Sequence, residues 1–194
     1  MKVILAVDEN WGIGKDNQML FHISRDLKHF RSLTYGNIVI MGRNTYESMG
    51  KALSGRENLV LTRNKNYKLN DARMFFDYKD LLAYIKNSKK EVFVIGGKQI
   101  VDLFLPFIDE AIITKIFSSR KADTFLHNFD EDPNFKKIDQ SDLYRENDIE
   151  FKFVKYRRKY GYYKTYRRFR FSNSNNFDID LSNKWETRSN IRRN

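Results

Sequence analysis

Six short runs of apolar, largely β-branched residues recur along the chain, and each gives way to a polar or helix-like stretch. They are Val3–Val7, Ile38–Met41, Asn58–Leu61, Met74–Phe76, Val92–Ile95 and Ala111–Ile116. Runs of three to six residues without polar alternation suit strands covered on both faces, as in a parallel sheet. The stretches between them carry helical spacing. Asp77 is placed to cap a helix over Tyr78–Asn87 with Leu81, Leu82 and Ile85 on one stripe. Lys98–Phe104 sets Ile100, Leu103 and Phe104 on another, and Pro106 stops it. Tyr46–Met49 reads as a short helix, and Phe151–Tyr156 as a last strand with alternating faces. Strand and helix signals in alternation define an α/β fold with a mostly parallel sheet.

Charge divides the chain in two. The whole sequence of 194 residues carries a formal +11, yet residues 157–194 hold eleven Lys/Arg against three Asp/Glu, leaving +3 for residues 1–156. Basicity therefore belongs to the tail and says nothing about the work of the body. We expect one domain over 1–156 and, over 157–194, a basic, Tyr/Arg-rich extension that is solvated and partly disordered. Tyr160, Tyr162, Tyr163, Tyr166, Phe169 and Phe171 interleave there with Lys164, Arg167, Arg168 and Arg170. That composition could stack bases and neutralise phosphates, but the solvated extension is the preferred reading. No cysteine is present, which excludes disulfides, thiol nucleophiles and Cys-based metal centres. No run approaches the ~18 residues of a membrane span. The short apolar start reaching Asp8 is too brief for a signal peptide, so a cytoplasmic protein is expected; a monomer is expected as well.

Ser24 reads as the N-cap of a helix running to about Thr34, with Ile23, Leu27, Phe30 and Leu33 on its buried stripe. Asp26 projects from the edge of that stripe. An acid there is either a first-turn residue favoured by the helix dipole or a carboxylate held in a cleft to bind a cationic or amidine-like group. Three strand ends carry glycine or a base: Gly42-Arg43-Asn44-Thr45, Thr62-Arg63-Asn64-Lys65 and Gly96-Gly97. Together they suit phosphate or nucleotide binding at the carboxyl edge of the sheet. Gly12-Ile13-Gly14 lacks the third glycine of the dinucleotide fingerprint, and no Gly-Lys-Ser/Thr loop occurs. His22, His29 and His127 make no metal cluster by spacing; a solvated role is expected for each, and no metal is assigned.

Set end to end, these segments resemble dihydrofolate reductases. The resemblance is carried by Ala6–Asn17 followed by Met19-Leu20-Phe21, by Asp26 with Phe30 and Thr34, and by Ile40–Met49. Gly55-Arg56-Glu57-Asn58, Val94-Ile95-Gly96-Gly97, Phe104-Leu105-Pro106 and Ala122-Asp123-Thr124-Phe125 follow in order. It spans about residues 2–156. It implies a mixed, mainly parallel eight-stranded sheet with about four flanking helices, and NADPH-dependent reduction of 7,8-dihydrofolate to tetrahydrofolate.

Carried over residue by residue, the resemblance implies Asp26, Phe21 and Thr114 as the catalytic residues, with Asp26 holding the pterin 2-amino group and N3 and Thr114 nearby through water. Leu5, Ala6, Leu27, Phe30, Met49, Lys51, Leu53 and Ile95 would wall the substrate, and Arg56 would meet its α-carboxylate. Ala6 and Ile13 would meet the carboxamide of the cofactor, with Gly14, Asn17 and Met19 closing over it as part of a mobile segment Glu9–Leu20. Gly42, Arg43, Asn44 and Thr45, then Leu61, Thr62, Arg63 and Asn64, would surround the adenine-ribose end. Ile95, Gly96 and Gly97, the latter two joined by a cis peptide in this family, would let the diphosphate approach with Lys98, Gln99, Ile100 and Thr124 around it. Three departures stand out: Leu20-Phe21 replaces Pro-Trp, Val101 stands where an aromatic often meets the nicotinamide, and Lys51-Ala52 softens a basic-proline corner. A pyrimidine reductase of riboflavin synthesis shares the expected fold and cofactor, but gives no reason for the acid-bearing helix together with Arg56.

Overall fold

Strand β4 (Ile38–Gly42) shows why the apolar runs are unbroken: Ile38, Val39, Ile40 and Met41 are all buried, on alternating faces. The computed structural model describes residues 1–159, and the expectations for the extension beyond them lie outside the described residues. In chain order the elements are β1 (Lys2–Val7), β2 (Gly12–Lys15), β3 (Gln18–Met19), α1 (Ser24–Thr34), β4 and α2 (Arg43–Met49). There follow β5 (Glu57–Leu61), β6 (Arg73–Phe75), α3 (Tyr78–Ile85), β7 (Val92–Gly96), α4 (Lys98–Phe104) and a 3₁₀ turn at Leu105–Phe107. The last are β8 (Glu110–Ile116), β9 (Thr124–Phe125), β10 (Phe135–Gln140), β11 (Tyr144–Glu146) and β12 (Ile149–Arg158).

Eight strands form the main sheet in the order β10-β12-β8-β1-β7-β4-β5-β6, with β11 attached to β12. Pairs from β8 through β6 are parallel, and β12 and β10 join antiparallel. β7 is inserted between β1 and β4, so connections diverge there, where ligand crevices of open α/β sheets form. The two faces of each strand serve two cores. On one, Val3, Ile38, Ile40, Val94 and Ile113 pack with Leu81 and Ile85 of α3 and Val101 and Phe104 of α4. On the other, Ile4, Val39, Met41, Phe93 and Ile95 pack with Phe30 and Leu33 of α1 and Tyr46 and Met49 of α2. Truncating Ile40, fully buried, to Ala would cost about 2–5 kcal/mol.

The expected fold is the observed one, with local corrections. A second sheet, β3-β2-β9, is built from residues with no strand-like apolar run. Ser24 is the first helical residue rather than the cap: Ile23 occupies the cap position with no side-chain bond. The carboxylate of Glu146, on β11, accepts from Ser24 N at 2.6 Å and Arg25 N at 3.1 Å in its place. A cap supplied 122 residues away leaves no local signature. Asp77 does cap α3, accepting from Lys79 N at 2.8 Å. β12 continues two residues past Tyr156 because Arg157 pairs with Glu110 at 2.8 Å and Arg158 donates to the Ile108 carbonyl at 2.8 Å. No helix among the described residues is long and apolar enough to cross a membrane.

Candidate active site

A cleft of about 1480 Å³ opens at the carboxyl ends of β1, β4, β5 and β7. Single-ligand pockets are typically ~300–1,000 Å³, so this one has room for two ligands side by side. Its two ends differ in chemistry.

At one end α1 presents Asp26, Leu27, Phe30 and Arg31 toward Leu5, Ala6, Met49, Leu53 and Ile95. Asp26 is half-buried, and Thr114 Oγ1 on β8 donates to its Oδ1 at 2.6 Å. The link is direct, where one through water was expected; Thr114, 3 % exposed, lies behind the acid rather than on the cleft wall. Burial pushes the Asp26 carboxyl above its ordinary value, more than the Thr114 hydrogen bond and the charge of His29 pull it down. Asp77 and Asp123 also face the cleft, but Asp123 accepts from Asp16 N at 2.8 Å and from Thr124 Oγ1, which holds its carboxyl below the usual range. Leu27 is 45 % exposed: the helical stripe that sequence assigns to the core turns here toward the cleft.

His29, one turn after Asp26, is not solvated as expected. Its ring stacks on Phe153 of β12 with centroids 4.0 Å apart, its Nε2 is buried with no hydrogen-bond partner among the described residues, and burial lowers its pKa. His127 likewise bonds Asp132 at 2.8 Å, whereas His22 is exposed. Arg56 closes this end. Its Nε donates to Thr34 Oγ1 at 3.1 Å, its Nη1 to the Ser54 carbonyl at 2.8 Å, and its guanidinium lies 5.7 Å from the Phe30 ring. The head is therefore fixed before any ligand arrives.

At the other end strands turn into helices through small residues. Gly42 precedes α2, whose first residues Arg43, Asn44 and Thr45 line the cleft, with Leu61 at the end of β5 and Thr62, Arg63 and Asn64 after it. The Gly96–Gly97 peptide is cis, and Gly96 has φ +132°, a conformation that L side chains rarely adopt. A Cβ on Gly97 would stand a tight 3.3 Å from Thr45 Oγ1, so the backbone here comes close to α2 where a side chain would crowd it. Lys98, Gln99 and Ile100 continue the wall, though the Lys98 ammonium pairs with Asp102. Arg43 pairs with Glu47 at 3.7 Å and lies 5.7 Å from the Tyr67 ring. Two guanidinium groups, five hydroxyl or amide side chains (Asn44, Thr45, Thr62, Asn64 and Gln99) and bare glycine backbone are the donors a phosphorylated nucleotide requires.

Between the ends, Ile13, Gly14, Asn17 and Met19 of the β2–β3 hairpin face the cleft beside Phe21, and β9 brings in Thr124. The turn before β2 is held by Asp8, 1 % exposed, whose Oδ1 accepts from Asn10 N at 2.8 Å and Gly12 N at 2.7 Å. Lys51, expected on the substrate wall, is exposed and does not line the cleft. Val101 is fully buried in the core, and the cleft surface there belongs to Ile100, so its difference from an aromatic acts from behind. Sequence reasoning missed Arg31, Ser48, Tyr78, Leu103 and Ile116. Arg31 lies four residues after Leu27, a spacing that could have placed it; Tyr78 and Ile116 reach the cleft through folding that no local pattern marks.

The fold and cleft thus define an α/β protein whose sheet carries, along its carboxyl edge, one cleft roomy enough for two ligands, with a half-buried acid at one end and a basic, glycine-rich rim at the other. The model of the family described as dihydrofolate reductase matches residues 1–158. The dihydrofolate reductase of Staphylococcus haemolyticus is 36 % identical over 133 residues, covering 68 % of this chain and 80 % of that protein. That of Bacillus subtilis (strain 168) is 35 % identical over 158 residues, covering 80 % and 93 %. The solved structure of dihydrofolate reductase from Enterococcus faecalis, complexed with NADP(H) and RAB-propyl, superposes with a TM-score of 0.74 at 28 % identity, covering 81 % of this chain and 95 % of that one. The chain belongs to the dihydrofolate reductase family.

Proposed function

We propose that the protein catalyses NADPH-dependent reduction of 7,8-dihydrofolate to 5,6,7,8-tetrahydrofolate, with hydride arriving at pterin C6 and a proton at N5. The product would serve one-carbon metabolism and thymidylate and purine synthesis. The observation that carries this reading is Asp26: a carboxyl raised by burial, bonded to Thr114 at 2.6 Å, in a cleft whose other end is basic. NADPH, when bound, supplies the hydride. The residues at the second end fit it: Arg43 and Arg63 for the 2′-phosphate, Thr45, Thr62 and Asn64 for ribose and phosphate oxygens, and Gly96-Gly97 for close approach of the diphosphate.

The protein's own contribution is alignment and proton control. Asp26 holds the pterin 2-amino group and N3 and sets the electrostatics of the ring, and the N5 proton comes through water rather than directly from the acid. Leu27, Phe30, Met49 and Leu53 exclude solvent around the ring, and Arg56 meets the α-carboxylate of the glutamate tail. The segment Glu9–Leu20 closes over the nicotinamide. The direct test follows NADPH absorbance on addition of dihydrofolate, with and without an antifolate. We expect substrate-dependent oxidation that the antifolate stops; a folded protein that leaves NADPH untouched would remove the proposal.

A further inference from the structure

Two residues that wall the cleft, Leu20 and Phe21, lie between β3 and α1 in a stretch without regular secondary structure, yet each is only 8 % exposed. They also stand where the sequence departs from Pro-Trp. Leucine at the first position leaves φ free where proline would fix it, and phenylalanine at the second has no ring N–H to anchor it. The stretch therefore lacks two restraints of its own.

Both are met from outside by one side chain. Arg120, in the loop between β8 and β9, donates from Nη1 to the Leu20 carbonyl. The same guanidinium lies 4.3 Å from the centroid of the Phe21 ring. A planar group with several fixed donors can bond a carbonyl in its plane while its face covers an aromatic ring; an ammonium offers only a point charge. The loop that carries Arg120 already holds the neighbouring segment. Ser119 Oγ accepts from Asn10 Nδ2 at 2.9 Å, and Asp123 N donates to the Gly14 carbonyl at 3.1 Å. Arg120 extends that hold to the point where the segment enters the helix of Asp26.

We infer that Arg120 is a positioning residue of the active site, clamping Leu20 and Phe21 so that the phenyl ring stays as cleft wall beside the reacting groups. The inference rests on the proposed reductase reading for its kinetic consequence, but not for the clamp itself. Arg120 does not line the cleft itself and acts through Phe21, which does.

The test compares the full-length protein with Arg120→Ala and Arg120→Lys, each also in a Phe21→Leu background, by steady-state kinetics and by amide hydrogen exchange. Arg120→Ala should lower kcat/KM for NADPH about fivefold, with kcat and KM both moving, the scale expected for one ring contact and one hydrogen bond. The unfolding midpoint should stay near that of the parent. Exchange at Leu20–Ile23 should quicken while β1 and β7 keep their protection. Arg120→Lys should recover part of the loss, and in the Phe21→Leu background Arg120→Ala should cost less than about twofold, since contacting residues are coupled. Unchanged kinetics and exchange in Arg120→Ala, or an equal loss in both backgrounds, would overturn the inference. A parent protein that does not oxidise NADPH with dihydrofolate would remove the reductase reading instead. In that case faster exchange at Leu20–Ile23 in Arg120→Ala still supports the clamp, and unchanged exchange rejects it.

Discussion

The two ends of the cleft sit on the same sheet edge and use the same kind of strand-to-helix turn, yet they put charge to opposite uses. At the Asp26 end one carboxyl is half-buried among apolar side chains, and its proton affinity is set by burial before any partner. At the Arg43 end the charged side chain is 41 % exposed and already shares its charge with Glu47. Dehydrated charge changes reactivity, because a small change in surroundings moves a pKa; hydrated charge changes affinity and selectivity, and does so weakly per residue. On the proposed reading, chemistry at one end and recognition at the other follow from how much water each keeps.

The sharpest way to break that contrast is Asp26→Asn, which keeps the shape and removes the ionisable group. At neutral pH we expect turnover to fall about 10²–10⁴-fold, the range for loss of a positioned acid–base group. The loss should shrink as pH falls, because substrate protonated in solution no longer needs the carboxylate. A pH–rate profile of parent and variant checks this, and parallel profiles would remove Asp26 from the mechanism.

The opposite end gives a smaller effect of a different kind. Arg43→Ala with Arg63→Ala should leave kcat near that of the parent and reduce the preference for NADPH over NADH, by about tenfold or more given two charge-assisted contacts discounted for solvent. Measuring kcat/KM for both cofactors decides it; an unchanged ratio would mean that the 2′-phosphate is read elsewhere.

The same contrast explains what could be read without the structure. The apolar runs gave the sheet because a strand covered on both faces must be apolar throughout, and the glycine–arginine turns gave the basic rim because a turn is a local event. The buried end was legible only in part. Asp26 could be singled out, but not the sign of its shift, since burial and helix dipole oppose each other and only the fold sets their balance. Glu146 capping its helix and Arg120 meeting the Leu20 carbonyl and the Phe21 ring arise from segments about a hundred residues distant, where spacing carries no signal. Ser24 misled for the same reason: a residue type suited to capping sat one place inside a helix capped from another strand.

The smallest expected effect separates stability from activity at the buried end. Because the Asp26 pKa is raised in the folded protein, the native state binds more protons than the unfolded chain between the two pKa values. Stability therefore falls as pH rises through that window, and the deficit persists at neutral pH. An uncharged amide of the same shape avoids it. Asp26→Asn should thus be more stable than the parent at pH 7 while being nearly inactive. Below the unfolded carboxyl value near pH ~4 both forms are uncharged and the difference should vanish. Urea unfolding at neutral and acid pH measures it directly. A variant less stable than the parent at pH 7 would show that the carboxylate is favourably solvated or paired, and would erase the asymmetry between the two ends.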